Sequence, residues 1–251
     1  MSEIIVDKLS HTFGKGTPVA LTVLDDINLA FRSGSFNAIV GTSGCGKSTL
    51  LKMMAGLYAP TDGRITLDGT EIKGTGRERG MVFQQDAVFP WMTVAKNISY
   101  GPRLHGASRQ ACAEIEKKWV ELVGLKGFED RWPRELSGGM RKRVDIGRVY
   151  ANDPEVLLMD EPFGALDAQT KERMQADLQE LWQVTNKTVV FVTHDLEEAI
   201  FLADRIVVLS ARPGRVRHVE DVDLPRPRTG EMRLSEDLLA VKRKLWHMLE
   251  H

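Results

Sequence analysis

A glycine-rich segment at residues 41–49 constrains the fold of this chain more than any other feature. It reads Gly-Thr-Ser-Gly-Cys-Gly-Lys-Ser-Thr and matches the pattern G-x-x-x-x-G-K-[ST] without a gap. An apolar run at residues 36–40 precedes it and predicts a buried strand, while residues 47–55 favour a helix that Gly56 ends. A strand, a glycine-rich turn and a helix in this order aim backbone N–H groups at an anion. The segment therefore predicts a phosphate-binding loop.

Side chains within this loop suit a magnesium nucleotide. Lys47 supplies a mobile cation for the β- and γ-phosphates, and the Ser48 hydroxyl can complete the shell of a Mg²⁺ ion. Cys45 is a potential nucleophile, but phosphate binding needs no cysteine chemistry. The alternative is a chance glycine-rich turn that contains a lysine. We expect nine residues of the loop to contact the nucleotide: Gly41, Thr42, Ser43, Gly44, Cys45, Gly46, Lys47, Ser48 and Thr49.

Two carboxylates end a second apolar run, Val-Leu-Leu-Met-Asp-Glu-Pro at residues 156–162. Asp160, at the end of the predicted strand, can bind Mg²⁺ directly or through water. Glu161 points elsewhere because successive side chains of a strand alternate, so it can act as the base that orients water. A strand that ends in a solvated acidic turn is the plain alternative. Together with the phosphate loop, the pair predicts phosphoryl transfer to water, although phosphate-loop kinases share these parts.

Apolar runs that alternate with helical segments predict an α/β fold with a mainly parallel sheet. A helical insert begins near Thr93, where Ser108 is a candidate N-cap and Ile115, Trp119, Leu122 and Val123 recur at helical spacing. Gly147 lies inside a further predicted helix, where it costs on the order of 1 kcal/mol relative to Ala and is expected to loosen the helix. Strands are predicted at 4–9, 21–24, 27–31, 64–67, 81–83, 156–159, 188–193 and 206–209, and later helices at 171–184 and 238–249.

Composition excludes several classes of function. The 34 basic and 35 acidic residues leave a net charge of −1, which gives no general electrostatic reason to bind nucleic acid. Two cysteines cannot form a disulfide framework. No run approaches eighteen consecutive apolar residues, and the N-terminus lacks the pattern of a secretory signal. We expect a soluble cytoplasmic protein whose membrane role, if any, depends on a partner.

Four further motifs along the chain resemble those of a known protein family. Leu-Ser-Gly-Gly-Met at residues 136–140 resembles the signature of ABC-type ATPases, and Gln84, Asp167 and His194 resemble the family's Q-loop, D-loop and switch histidine. The resemblance covers roughly residues 3 to 225. It implies a phosphate-loop core with a mainly parallel sheet, an N-terminal antiparallel β subdomain and a helical insert. The implied organisation is one nucleotide-binding domain at residues 1–230, with a helical subdomain at about 93–150, and a short helical tail at 231–251.

The resemblance also implies roles for residues in a site that binds ATP and Mg²⁺. Phe13 is similar to the aromatic residue that stacks on adenine. Gln84 would reach the Mg²⁺ ion and the attacking water, Glu161 would be the general base, and His194 would contact the γ-phosphate. Considered singly, each of these residues could instead have a purely structural role in core packing or in a turn.

The signature implies a dimer. Ser137, Gly138 and Gly139 would cap the γ-phosphate bound to a second copy of the chain, and Asp167 would lie at the dimer seam. One chain could then not complete a site by itself. ATP binding would favour closure of a homodimer, and hydrolysis would favour its opening.

Tail motifs and a short aromatic segment resemble one branch of importers. Phe-Pro-Trp-Met at residues 89–92, Arg-Pro-Gly-Arg at 212–215 and Pro-Arg-Pro-Arg at 225–228 are similar to the nitrate, sulfonate, taurine and bicarbonate branch. The branch implies separate membrane permease subunits, an indirectly associated solute-binding protein, and a place on the cytoplasmic face of the cell membrane. Residues 89–92 would offer two exposed aromatics to the permease, or simply pack in the core. The alternative function is a soluble ABC ATPase that acts as an assembly or scaffold factor.

Overall fold

Two β-sheets organise the chain, which a computed structural model describes from residue 2 to residue 250. A four-stranded antiparallel sheet has the order β2-β1-β4-β5, and a six-stranded sheet has the order β10-β9-β3-β8-β7-β6. The strands are β1 (Ile4–Phe13), β2 (Leu21–Phe31), β3 (Phe36–Val40), β4 (Asp62–Leu67), β5 (Thr70–Glu71), β6 (Arg79–Val82), β7 (Val156–Asp160), β8 (Thr188–Val192), β9 (Arg205–Leu209) and β10 (Val216–Asp221).

The large sheet is parallel from β9 to β6, and only β10 is antiparallel, at one edge. Its central strands β3, β7 and β8 are buried along their whole length, as expected for strands that helices cover on both faces. The predicted mainly parallel sheet is confirmed. The edge strand β10 escaped prediction because its six residues mix charged and apolar side chains and are only partly buried.

The antiparallel sheet contains one continuous strand where the sequence predicted two. The predicted break between residues 24 and 27 is a bulge within β2. Asp26 has a φ of +49°, and the pairing register with β1 shifts there from Leu9↔Ile27 to His11↔Leu24. An inserted residue of this kind bends a strand without ending it. The prediction of separate strands at 21–24 and 27–31 was therefore wrong, whereas the antiparallel N-terminal subdomain is confirmed.

Helices cover the large sheet and form a helical region before β7. Ser108 accepts a hydrogen bond from the backbone N–H of Ala111 (3.1 Å) and caps α4, as predicted. The α6 helix begins three residues earlier than predicted because Asp167 caps it, accepting from the N–H of Thr170 at 3.0 Å. The helices are α1 (Lys47–Met54), α2 (Val94–Ile98), α3 (Tyr100–Leu104), α4 (Arg109–Leu122), α5 (Gly138–Tyr150), α6 (Ala168–Thr185), α7 (Leu196–Leu202) and α8 (Glu236–Glu250).

Gly147 lies at a close approach within the helical region. A Cβ atom added there would lie 3.2 Å from a methyl group of Val123 and 3.5 Å from one of Ile98. The glycine thus lets α5 pack tightly against its neighbours, which offsets some of its cost to the helix. Trp119 and Val123 of the predicted apolar stripe are buried, whereas Leu122 is 40% exposed and lies outside it. No helix within residues 2–250 is both long and apolar enough to cross a membrane.

Candidate nucleotide-binding site

A cleft of about 680 Å³ opens where the strands of the large sheet end and the antiparallel sheet begins. Side chains from both sheets, from the phosphate loop and from a loop after β9 reach it. The carboxyl edge of a parallel sheet is the usual place for a ligand in such folds. The lining consists of Phe13, Leu21, Val23, Ser43, Gly44, Gly46, Lys47, Ser48, Thr49, Gln84, Glu161, His194 and Arg212.

The phosphate loop joins β3 to α1 as predicted. Gly44 and Gly46 have φ angles of +77° and +103°, which residues with side chains rarely adopt. A Cβ atom at Gly46 would also lie only 2.6 Å from Leu24. No side chain caps the N-terminus of α1, so its first backbone N–H groups are free of an internal side-chain acceptor. The loop can therefore direct N–H groups and a helix dipole at phosphate oxygens.

Lys47 places a buried cation against this loop. Its side chain is 5% exposed, and its ammonium group donates to the backbone carbonyls of Gly41 (2.8 Å) and Thr42 (3.1 Å). Among residues 2–250 no carboxylate lies within ion-pair distance of Lys47. Neutral carbonyls leave the positive charge available for an anionic ligand. This geometry suits the predicted phosphate contact.

Ser48 lines the cleft and forms an oxygen cluster with Asp160. The Ser48 hydroxyl donates to Oδ1 of Asp160 at 2.7 Å, and Asp160 is 5% exposed. Gln84 carries a further side-chain oxygen in the same cleft. Hydroxyl, carboxylate and amide oxygens are the hard ligands that Mg²⁺ prefers. The three predicted metal ligands therefore fit this ion.

Glu161 lies between Gln84 and His194. Its Oε2 atom accepts from Nε2 of Gln84 (3.3 Å) and lies 3.2 Å from Nδ1 of His194. The three residues follow β7, β6 and β8, so three neighbouring strand ends bring them together. Glu161 has a φ of +43°, a strained angle for a residue with a side chain, and strain of this kind clusters at functional sites. The structure thus joins all the predicted catalytic residues, Lys47 included, in one cleft.

Phe13 contributes an aromatic wall to the cleft. Its ring is 41% exposed and meets the rings of His11 and Tyr58 edge to face, at 4.5 Å and 6.2 Å between centroids. Partial burial lowers the pKa of His11, because it disfavours the charged imidazolium. Held by these contacts, Phe13 offers an exposed face on which a nucleobase can stack.

The predicted signature does not belong to this cleft. Ser137 caps α5, accepting from the N–H of Met140 at 3.3 Å, and neither it nor Gly138 or Gly139 lines the cleft. A Cβ atom at Gly139 would lie 2.7 Å from the Thr170 side chain, so the signature packs closely on the first turn of α6. Asp167, the cap of that turn, is likewise outside the cleft. Its bond from the Thr170 N–H lowers the pKa of its carboxyl. Signature and Asp167 therefore form a second cluster.

Sequence reasoning missed a buried lysine that joins these two clusters. Lys142 of α5 is 2% exposed, and its ammonium donates to the backbone carbonyls of Phe83 (2.9 Å) and Gln84 (3.2 Å). It also lies 3.4 Å from a carboxylate oxygen of Asp86 and 3.8 Å from one of Asp145. Nothing in the sequence separates Lys142 from an ordinary surface lysine of a helix, because the carbonyl groups that it binds are about sixty residues away along the chain.

A second missed lysine supports the loop of His194. Lys171 of α6 pairs with Asp195 (2.8 Å) and Glu198 (2.6 Å), and Glu198 is 4% exposed. Partial burial opposes ionisation of Asp195, but the Lys171 ammonium outweighs it, and the pKa of Asp195 falls below its usual value. The ion cluster fixes the residue next to His194. Arg212 also lines the cleft, and its sequence motif gave no indication of a place in the site.

A second groove of about 370 Å³ is lined in part by Phe89, Tyr100 and Arg148. The Phe89 ring forms part of it, packing 4.6 Å from Tyr100 and 4.8 Å from the Arg148 guanidinium. Phe89 is therefore half-buried, so the expectation that both Phe89 and Trp91 are exposed is wrong for Phe89. Trp91, 5.5 Å from Phe89, is 66% exposed.

The fold and the cleft together place the chain among the phosphate-loop nucleotide-binding proteins. Residues 24–164 match the sequence profile of the ABC transporter family, and the chain belongs to that family. The predicted resemblance is confirmed, and the protein binds ATP and is an ATPase.

Known relatives agree with this assignment. A nitrate import ATP-binding protein of Synechocystis sp. is 48% identical over 206 residues, covering 82% of this chain and 77% of the relative. A taurine import ATP-binding protein of Jannaschia sp. is 41% identical and covers all of this chain and 96% of the relative. A solved dimeric ATP-binding cassette, in a post-hydrolysis state with ADP and Pi, aligns with a TM-score of 0.77 at 30% identity, covering 88% of this chain and 100% of the other.

Proposed function

We propose that the chain is the ATPase subunit of an importer for a small solute of the nitrate, sulfonate or taurine kind. It would act as a homodimer attached to membrane permease subunits on the cytoplasmic face of the cell membrane, and a solute-binding protein would deliver the solute. The observation that carries the dimer is the separation of the signature from the cleft within one chain. The relatives named for nitrate and taurine import support the solute class. The proposed domain is residues 1–230, with its helical part at about 93–150, and residues 231–251 form the tail.

Within the cleft, each side chain has a task in hydrolysis. The phosphate loop and Lys47 hold the β- and γ-phosphates, and Phe13 stacks on adenine. Ser48, Asp160 and Gln84 would hold Mg²⁺, which supplies charge neutralisation at the phosphates when bound.

Glu161 would activate the attacking water. Its carboxylate accepts a proton from the water as general base. Gln84 and His194, both within 3.3 Å of Glu161 Oε2, orient that carboxylate and the γ-phosphate. Most of the rate enhancement comes from this positioning and from charge stabilisation.

The second cluster serves the other copy. Ser137 and the N–H groups of Gly138 and Gly139 lie at the start of α5, where a helix N-terminus attracts an anion. In a head-to-tail dimer they cap the γ-phosphate bound in the partner's cleft. Asp167 lies beside them on α6 and so reaches the same seam.

Replacement of Glu161 by Gln tests the reaction. The variant lacks the base but keeps every phosphate contact, so we expect ATP binding to persist, hydrolysis to fall by about a hundredfold or more, and a stable dimer to form with Mg-ATP. Gel filtration with Mg-ATP measures the dimer. A variant that hydrolyses ATP at the wild-type rate would contradict the role of Glu161, and one that stays monomeric would contradict the dimer.

Membrane attachment is tested by detergent purification from membranes of the source cells. Trp91→Glu should abolish co-purification with an integral membrane permease and leave the ATPase activity of the isolated chain intact. Trp246→Glu is the matched control, because Trp246 is also exposed, at 54%, but lies on α8. If the wild type instead purified only in a soluble complex, the alternative of an assembly or scaffold factor would be favoured.

A further inference from the structure

The loop between β9 and β10 is hydrogen-bonded to β2 and packs closely against the phosphate loop. The N–H of Gly214 donates to the Val23 carbonyl at 2.8 Å, and its own carbonyl accepts from the Asp25 N–H at 3.0 Å. A Cβ atom at Gly214 would lie 2.1 Å from the carbonyl oxygen of Cys45, so only glycine fits this contact. The position of this loop relative to the phosphate loop is therefore well defined.

Two arginines flank this contact and behave differently. Arg215 is paired with the carboxylate of Asp25, its Nε atom donating at 2.9 Å. Arg212 instead extends into the lining of the cleft, where Nε donates to the carbonyl of Gly44 at 3.2 Å. No carboxylate within residues 2–250 lies at ion-pair distance from Arg212. Of the five guanidinium N–H donors, this hydrogen bond uses one.

We propose that Arg212 is a second cationic ligand of the nucleotide polyphosphate, reaching it across Gly44 while Lys47 binds from within the loop. This inference rests on the proposed ATP site and adds a residue to it. A guanidinium without a carboxylate partner, beside the glycine turn that faces the phosphates, matches phosphate oxygens in charge and geometry. Glu161 is the one carboxylate that lines the described cleft, so the added cation improves the balance for an anionic ligand.

The exposure of Arg212 sets the size of the effect. Its side chain is exposed, so water and salt screen its charge. A single charge-assisted contact at such a position predicts about three- to tenfold weaker binding when it is removed. The effect should shrink as salt concentration rises, and Lys at position 212 should restore part of it, because the charge returns without the planar fork.

Arg212→Gln and Arg215→Gln are the matched pair that tests this inference. Binding of Mg-ATP and Mg-ADP to the isolated chain is measured by fluorescent-nucleotide titration at low and high salt, with Lys47→Ala as reference. We expect Arg212→Gln to weaken both nucleotides about three- to tenfold at low salt, and Arg215→Gln to bind like the wild type. The midpoint of thermal unfolding without nucleotide should be the same for wild type and Arg212→Gln.

Three results would overturn the inference. Arg212→Gln could bind both nucleotides as tightly as the wild type, could lose affinity equally at all salt concentrations, or could weaken only the ATP-dependent dimer of the Glu161→Gln chain. The last result would assign Arg212 to the partner copy. If the wild type itself bound no nucleotide, or bound it without help from Lys47, the proposed function would fail instead, so the two failures are distinguishable.

Discussion

Mixing two inactive variants should restore ATPase activity if the signature serves the partner's cleft. Lys47→Ala removes the cation of the phosphate loop, and Ser137→Arg puts a bulky side chain at the tip of α5. The serine change also removes the cap bond to the Met140 N–H, which costs about 1 kcal/mol of stability and should leave the chain folded. Each variant alone forms dimers in which both sites are defective.

The expected recovery follows from counting sites. Equal amounts of the two variants, exchanging freely, give heterodimers for half of all dimers. In each heterodimer the intact phosphate loop faces the intact signature at one site, and the other site carries both defects. The mixture should therefore reach about a quarter of wild-type activity when the two sites of a symmetric dimer act independently. If each chain completed its own site, the mixture would stay inactive.

If both sites of a dimer had to be intact for activity, the first mixture would be inactive even with an exchanged signature. A second mixture distinguishes this case. Wild type is mixed with a chain that carries both substitutions, and phosphate release is measured at saturating Mg-ATP. A signature acting on the partner leaves activity only in wild-type homodimers, about a quarter of the undiluted rate. A signature acting within its own chain leaves every wild-type chain active, about half of that rate. An inactive first mixture together with half activity in the second would refute the exchanged signature.

Further predictions concern stability and binding. Lys142→Met should lower the free energy of unfolding in urea by about 3–5 kcal/mol, because it leaves buried carboxylate and carbonyl oxygens without their cation; a loss below about 1 kcal/mol would contradict the buried pairing. Phe13→Ala should weaken ATP binding about tenfold and Phe13→Tyr should not, as titration calorimetry would show, since stacking needs only an aromatic face. Lys171→Met should destabilise the chain by a constant amount near neutral pH. Because the pKa of Asp195 lies below its usual 3.8, that pairing is complete above this value and is lost as the pH falls through the lower one, so the difference between variant and wild type should narrow on acidification. A difference that widens in acid would refute the pairing.

Local sequence patterns predicted the features that depend on neighbouring residues. The phosphate loop could be located because glycines, lysine and hydroxyls stand at fixed spacing between a strand and a helix. Ser108 was predicted as a helix cap for the same reason, since a cap bonds to a residue three positions on. The strand at residues 36–40 was correct in both bounds, because all its residues except Asn37 are apolar and the glycine-rich loop follows directly.

Features that depend on distant contacts could not be predicted in this way. The bulge at Asp26 depends on pairing with β1, and from the sequence alone the two aspartates at 25 and 26 only interrupt the apolar pattern. Phe89 appeared exposed because its partners Tyr100 and Arg148 come later in the chain. Lys142 and Arg212 contact loops 58 and 168 residues away, so sequence alone gave no reason to separate them from surface cations.

The hydrogen bonds from Lys142 to the Gln84 segment would couple ATP hydrolysis at the two sites of the proposed dimer. In the proposed dimer, the N-terminus of α5 caps the nucleotide of the partner copy. One turn further along the same helix, Lys142 holds the backbone of Gln84, whose side chain lies in the cleft of its own chain. Because α5 is a rigid helix that is fixed at these two places, a change at one ATP site would be transmitted to the other. Release of phosphate on one side would strain the cap on the opposite side, so the pair would be expected to open as a unit.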